Sequence, residues 1–350
     1  MSQRLDSGRI FHKIANMNRQ TSIVSVATCG LTITLTVSVY AQEVKLSAAQ
    51  PKITTVSAVR ARTGPQVAAD EISRLKLGTV VSAVARTADE SEIGGKKDYW
   101  YRVNLPGAQS GWIFGGLLKD YSAARLEETS REIIGERLKA ESMSFDDGID
   151  LYHFVSNAVV ETKSLNVKGE FTLLKLLALG RSLNGIPFDK RERAPYRDWL
   201  KAHEQEIVYS EPSGDWLVRS KLFWDLERRY HRAPIAERIA WEAAQNPLPG
   251  ECEGDEVCRF FYVNLTDGEY LRLHPNGAHA GEALKSLEEA LASDELASTL
   301  KSRSRDTYVV EQRADLIKAL AGLRLTLSKT SSPEKTALLK QLNQLLAGVR

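Results

Sequence analysis

The chain is poor in the residues that carry out chemistry. Three cysteines, six histidines and three methionines are spread over 350 residues. Neither His-Glu-x-x-His nor Gly-x-Ser-x-Gly occurs, which removes the usual zinc-peptidase and α/β-hydrolase signatures. Charge of one sign is missing too: 47 basic and 45 acidic residues leave +2, with no Lys/Arg block, so a nucleic-acid partner is not expected. Asp146-Asp147 reads as the acidic first turn of a helix. The Glu251, Glu253, Asp255, Glu256 group lacks the spaced ligands and central glycine of a calcium loop. His274 and His279 flank Pro275-Asn-Gly277 as loop residues. No metal site and no cofactor are expected. What remains, 43% apolar and 26% charged residues, is ordinary for a globular protein long enough for two domains.

The N-terminus stands apart. Arg4, Arg9, Lys13 and Arg19 precede an uncharged run from Thr21 to Ala41 that ends in Val39-Tyr-Ala41. This is the pattern of a secretory signal peptide cleaved after Ala41, with Met1 or Met17 as the start. A retained membrane anchor is the competing reading, since the run approaches a spanning length, although it is rich in Ser and Thr. Lipoprotein processing at Cys29 fits less well, because Thr28 stands where a small residue is wanted. Residues 1–41 carry four cations and one carboxylate, so cleavage takes the net charge from +2 to −1 and removes Cys29. The expected location is periplasmic or secreted, with no membrane span after cleavage. In that compartment Cys252 and Cys258 favour a disulfide over two free thiols. Closing so short a loop is worth ~2 kcal/mol in the chain-entropy picture. A metal site would need further ligands, and none follows at ligand spacing.

Three zones follow. Residues 42–52 are polar and read as a flexible lead-in. Between residues 53 and 119, short β-branched runs (Ile53–Val59, Gly78–Val84, Tyr99–Leu105, Gly111–Phe114) alternate with breaks at Gly64-Pro65, at the charged loop 87–98 and at Pro106-Gly107, the pattern of a small all-β barrel. After Tyr121 the period becomes helical and stays so to the C-terminus. Helices are expected around Leu126–Leu138, Leu151–Val159, Phe171–Leu183, Pro195–Val208, Trp216–Tyr230, Pro234–Gln245, Cys258–Leu273, His279–Ser293, Thr307–Ser328 and Pro333–Val349, in antiparallel pairs. An internal echo links Tyr230–Ala240 with Tyr270–Ala283: each runs aromatic, proline, then a helix opening on small residues. Two such units are fewer than a self-supporting solenoid needs.

The β segment resembles the bacterial SH3-like (SH3b) module of exported cell-envelope proteins. Val59-Arg-Ala-Arg-Thr-Gly-Pro65 matches the family's opening strand and turn, and Leu75-Lys-Leu-Gly-Thr-Val-Val81 its Leu-x-x-Gly-Thr strand. Trp100-Tyr-Arg-Val103 and Gly111-Trp-Ile-x-x-x-Leu117 match the final hairpin. The charged loop 87–98 is longer than in many members. Residues 270–283 look like a junction between tetratricopeptide-like repeats, which would place such units around 216–293. The NlpC/P60 peptidases that often carry this module use a Cys nucleophile with a His base, and the paired Cys252 and Cys258 argue against that chemistry.

The fold expected is therefore multidomain α+β: an SH3-like β-barrel over 53–119, then an all-α, repeat-like domain over 120–350. The resemblance implies that the barrel engages peptidoglycan or another envelope partner and that the helical part meets proteins. Candidate ligand-binding residues are Tyr99 and Tyr101, Trp112, and Arg60 and Arg62 beside the first turn. Trp100 and Trp112 belong in or beside the core, which turns Tyr99 and Tyr101 to the opposite face. The alternative is a cell-wall hydrolase or other enzyme whose site lies unrecognised among the helices.

Overall fold

The computed structural model describes residues 42–105, 107 and 109–347; residues 1–41, where a signal peptide is expected, lie outside them. The strands are β1 (Glu43–Thr54), β2 (Val59–Arg62), β3 (Glu71–Leu75), β4 (Val80–Thr87), β5 (Ser91–Ile93), β6 (Lys96–Asp98), β7 (Trp100–Asn104), β8 (Ser110–Phe114) and β9 (Leu118–Asp120). All except β5 and β6 form one antiparallel sheet in the order β3-β2-β8-β7-β4-β1-β9. Val59, Ala61, Val81, Ala83, Val103 and Ile113 are buried in one cluster that also takes in Leu75 of β3 and Leu118 of β9. Side chains from both edge strands thus meet in a single core.

Two expectations fail here. Residues 42–52 are not a flexible lead-in: they belong to β1, which pairs with β4 from Glu43↔Thr87 to Ile53↔Val80, interrupted by a bulge between Lys45 and Gln50. Backbone hydrogen bonds hold this strand, and they need no apolar side chains. The charged loop 87–98 contains the hairpin β5–β6, paired Ser91↔Asp98 to Ile93↔Lys96 around Gly94-Gly95, both at positive φ.

The C-terminal part is built from α1 (Leu126–Leu138), α2 (Phe145–Glu161), α3 (Leu165–Asn184), α4 (Tyr196–Ala202), α5 (Ser220–Tyr230), α6 (Ala236–Gln245), α7 (Glu256–Leu265), α8 (Asp267–Leu273), α9 (Ala280–Leu291), α10 (Asp294–Lys301), α11 (Thr307–Ser328) and α12 (Lys335–Ala347). Their starts are written locally: Ser144 Oγ accepts from Asp147 N, Ser164 from Val167 N and Asp255 from Cys258 N, each filling an orphan donor of the first turn. The span expected over Cys258–Leu273 breaks into α7 and α8 at Thr266, whose hydroxyl donates back to the carbonyls of Tyr262 and Val263.

This part is not all helix. Ile207–Ser210 and Asp215–Val218 are strands, β10 and β11, paired Ile207↔Val218 to Ser210↔Asp215. The apolar residues assigned to the end of one helix and the start of the next instead flank the turn Glu211-Pro-Ser-Gly214, with Gly214 at φ +69°.

The echo between helix junctions is geometric. Ala233 N donates to Tyr230 O and Ala236 N to Ala233 O; Gly277 N donates to His274 O and Ala280 N to Gly277 O. The two turns share this hydrogen-bond pattern with Tyr230 in the place of His274, so the second aromatic, Tyr270, stands four residues earlier in it. Both turns feed a helix that packs back on its predecessor, α5 with α6 and α8 with α9.

Two apolar cores divide the helices. One gathers α1–α6 and takes Ile53 and Leu77 from the sheet; the other gathers α6–α12. Helix α6 serves both, giving Ile239 and Ala243 to the first and Ala240 and Ala244 to the second. The sheet meets α2 tightly: a Cβ on Gly78, at φ +78°, would lie 2.2 Å from a ring carbon of Phe154. Among the described residues no helix is long and apolar enough to cross a membrane.

Candidate functional site

The final hairpin of the sheet carries the aromatic candidates, and its register sorts them. Trp100 pairs with Phe114, Tyr101 with Ile113 and Arg102 with Trp112. Tyr101 and Ile113 share the face that packs on the sheet's core. Trp100, Trp112 and Phe114 share the opposite face and form their own cluster, closed by Ile93 of the β5–β6 hairpin and by Leu117. The strand alternation therefore holds, but both faces are covered, and Trp100 is buried away from the core rather than in it. The charged segment 87–98 makes the difference, because it folds over the indoles instead of standing free. Trp112, at 9% exposure, offers almost no surface to a ligand.

Tyr99 and Tyr101 remain half-buried at the rim of the sheet where its central strand, β7, begins. Each has a cation over its ring: the Arg86 guanidinium lies 3.9 Å from the Tyr99 centroid and Lys52 Nζ 4.4 Å from that of Tyr101. Lys52 also contacts Asp120 Oδ1 at 2.6 Å, and Asp98 Oδ1 accepts from Tyr99 N at 2.7 Å. Burial pushes the Tyr101 hydroxyl above its ordinary value, with Asp98 and Asp120 acting the same way and Lys52 and Arg86 opposing. Gly115 makes this crowding possible, since a Cβ there would come within 2.7 Å of both the Asp98 carboxyl and the Tyr101 ring. The edge thus presents two aromatic rings, two cations and two carboxylates within a few side chains.

Arg60 and Arg62 lie on the face of Trp112, and Arg62 pairs with it directly. They do not join the tyrosines. Arg60 Nε is 3.3 Å from Glu71, which Arg74 also grips through two 3.0 Å hydrogen bonds. The Arg74 hydrogen bond above all, with the Arg60 and Arg62 charges, holds the Glu71 carboxyl below the usual carboxylate range. Arg62 donates to Ala69 O at 2.6 Å and pins the loop after β2. Sequence reasoning missed Lys52, Arg86, Asp98 and Asp120: Asp98 adjoins Tyr99 in the chain, Arg86 arrives through the β4–β7 pairing, and Lys52 and Asp120 arrive through β1, paired with β4, and β9, paired with β1.

Residues 57–119 match the family model of the bacterial SH3 domain. The match covers about a fifth of the chain and takes in β2 to β8, so β1, which completes the tyrosine edge through Lys52, precedes it. No curated protein and no solved structure matches the chain.

Outside the SH3 region, a cleft of about 470 Å³ opens between α1, α3, β11 and α6. Leu174, Leu177 and Trp216 wall it, with Lys139, Arg181, Arg238 and Glu242 as its charged groups. Burial pushes the Glu242 carboxyl up, against the pull of Arg238 and His279. Three of the described histidines have carboxylate partners. His203 meets Glu206 at 2.5 Å, His274 meets Glu227 at 3.3 Å, and His279 meets Glu282 at 3.0 Å while stacked on Trp241 at 4.2 Å. Cys252 and Cys258 are joined in a disulfide beside the start of α7. Among the described residues no group of three or more His, Cys, Asp or Glu side chains converges on a metal position.

Proposed function

We propose that this protein is an exported, non-catalytic binding protein of the cell envelope. Its SH3 region engages cell-wall peptide, or an envelope partner of similar chemistry, and its helical part contacts other proteins. The reading rests on one observation: the segment that matches the bacterial SH3 domain carries an aromatic, cation-flanked edge at Tyr99 and Tyr101. Aromatic faces stack on the apolar body of a peptide or sugar, and Arg86 suits its carboxylates, while the buried Lys52 holds Tyr101 and Asp120 in place. Export through residues 1–41 to the periplasm or beyond belongs to the same reading, and the Cys252–Cys258 disulfide supports it, because such bonds persist in oxidising compartments.

Hydrolysis of the cell wall is the alternative. The 470 Å³ cleft favours it by placing one protonation-prone carboxylate, Glu242, beside Arg238. Glycosidic cleavage uses two carboxylates, and Glu242 is the one carboxylate lining that cleft, which is why binding is preferred.

Co-sedimentation of the chain 42–350 with purified peptidoglycan tests the proposal. Binding is expected and should fall sharply in Tyr99→Ala/Arg86→Ala. No sedimentation above a boiled-protein control, or full binding by the double variant, would sink it. Zymography of the same protein should give no clearing; clearing that Glu242→Gln abolishes would establish the hydrolase instead.

A further inference from the structure

The β10–β11 hairpin, unforeseen from sequence, builds a second surface in the helical part. A hollow of about 510 Å³ lies beside it, and four cations line it: Arg191, Arg197, Lys201 and Arg219. Glu192 and Glu204 are the carboxylates on its wall; Arg197 also holds Asp198 at 2.9 Å. Positive charge outnumbers negative on a surface whose chain is near neutral overall.

Arg191 is the pre-set group. Its guanidinium lies 3.7 Å from the Phe188 ring centroid and 5.3 Å from that of Tyr209. Nε donates to Phe188 O at 3.0 Å and Nη1 to Tyr209 Oη at 2.8 Å. These contacts fix the plane of the fork, yet Nη2 meets no acceptor. A second orphan donor, Trp216 Nε1, belongs to the same wall, and its ring packs against Tyr209 at 5.3 Å. Buried unpaired N–H groups are costly, so the wall favours an acceptor-rich ligand that reaches them, and four cations against the two carboxylates Glu192 and Glu204 favour an anionic one. Phe188, with the Arg191 guanidinium over one face of its ring, is otherwise 73% exposed.

We propose that this hollow is the docking site for an acidic peptide segment of a partner protein. Its carboxylates meet Arg191, Lys201 and Arg219, and its apolar side chains lie on Phe188, Tyr209 and Trp216. A planar fork favours carboxylate pairing, the flanking aromatic rings favour a peptide over a bare ion, and the volume falls within the range of built ligand sites. The site deepens the reading that the helical part contacts proteins, and it is separate from the SH3 edge.

The test uses the chain 42–350 and a fluorescein-labelled Glu-Leu-Glu-Phe-Glu peptide, with a Gln-Leu-Gln-Phe-Gln peptide as control, read by anisotropy. The acidic peptide should bind, weaken as salt rises, and lose about tenfold in affinity on each of the exposed-site reversals Lys201→Glu and Arg219→Glu. Arg191→Lys, which keeps the charge and loses the fork, should weaken it as well; circular dichroism checks that each variant is folded. Equal binding of the two peptides, no binding of the acidic one, or unchanged affinity in both reversals overturns the proposal. Displacement of the peptide by equimolar inorganic phosphate would make this an ion site and overturn it likewise. Loss of peptide binding in Tyr99→Ala/Arg86→Ala, with both reversals unaffected, would assign the peptide to the SH3 edge, refuting the hollow while leaving that edge's role intact.

Discussion

Asp267 carries a cost that pH can switch. It sits at the start of α8, only 9% exposed, and burial pushes its carboxyl from 3.8 up to about 6, with Glu282 adding to the rise and the Asp267 backbone and Thr266 hydrogen bonds opposing it. The folded state thus holds a proton that the unfolded chain releases earlier. Stability on this account is greatest below pH 4 and declines as pH climbs through the interval to about 6; at neutral pH the loss is at most about 3 kcal/mol. Asp267→Asn removes the ionisation. Thermal melts should show the variant more stable than wild type at pH 7 and the gap closing by pH 4. A gap that stays constant across that interval would show that Asp267 is solvated in the folded state.

Whole elements were readable where one side of the element alone is buried. The stripe Leu151, Val155, Ala158 marks α2, and the Thr307–Ser328 span of α11 follows from the helical period of its leucines. Three elements were not readable, each for a physical reason. β1 is polar because both its neighbours bind it through the backbone. β5–β6 is charged because its outer side faces solvent while Ile93 alone reaches inward. β10–β11 alternates over only four residues a strand, too few to outweigh adjoining helical periods. The candidate site divides the same way: Tyr99 and Tyr101 were visible as strand residues, whereas the cations over them depend on long-range pairing. If backbone pairing holds β1, a chain beginning at Pro51 strips Ala85–Thr87 of β4 of their β1 partners and leaves that side of the strand open. Its melting temperature should drop and its sedimentation should become concentration-dependent, as exposed edges self-associate. Unchanged melting and a monomeric profile would show that residues 43–50 add nothing to the sheet.

At the level of the whole molecule, two cores joined through α6 imply two coupled unfolding units. One comprises the sheet with α1–α6, the other α7–α12. Calorimetry should resolve two overlapping transitions. Reducing Cys252–Cys258 should lower only the one that carries α7, by about 2 kcal/mol in the chain-entropy picture. A single sharp transition that shifts as a whole on reduction would mean that α6 welds the cores into one.

The burial of Ile53 and Leu77 among helix side chains, with Gly78 seated against Phe154, bears on avidity. Two recognition surfaces on a flexible tether can gather many spacings of a divalent ligand, at an effective concentration set by the tether's length. Here no tether exists between them. If the tyrosine edge and the cationic hollow both bind as proposed, they keep one separation and one orientation, so a ligand touching both would gain from the second contact only where its own span fits, and the protein would act as a gauge of its partner's length.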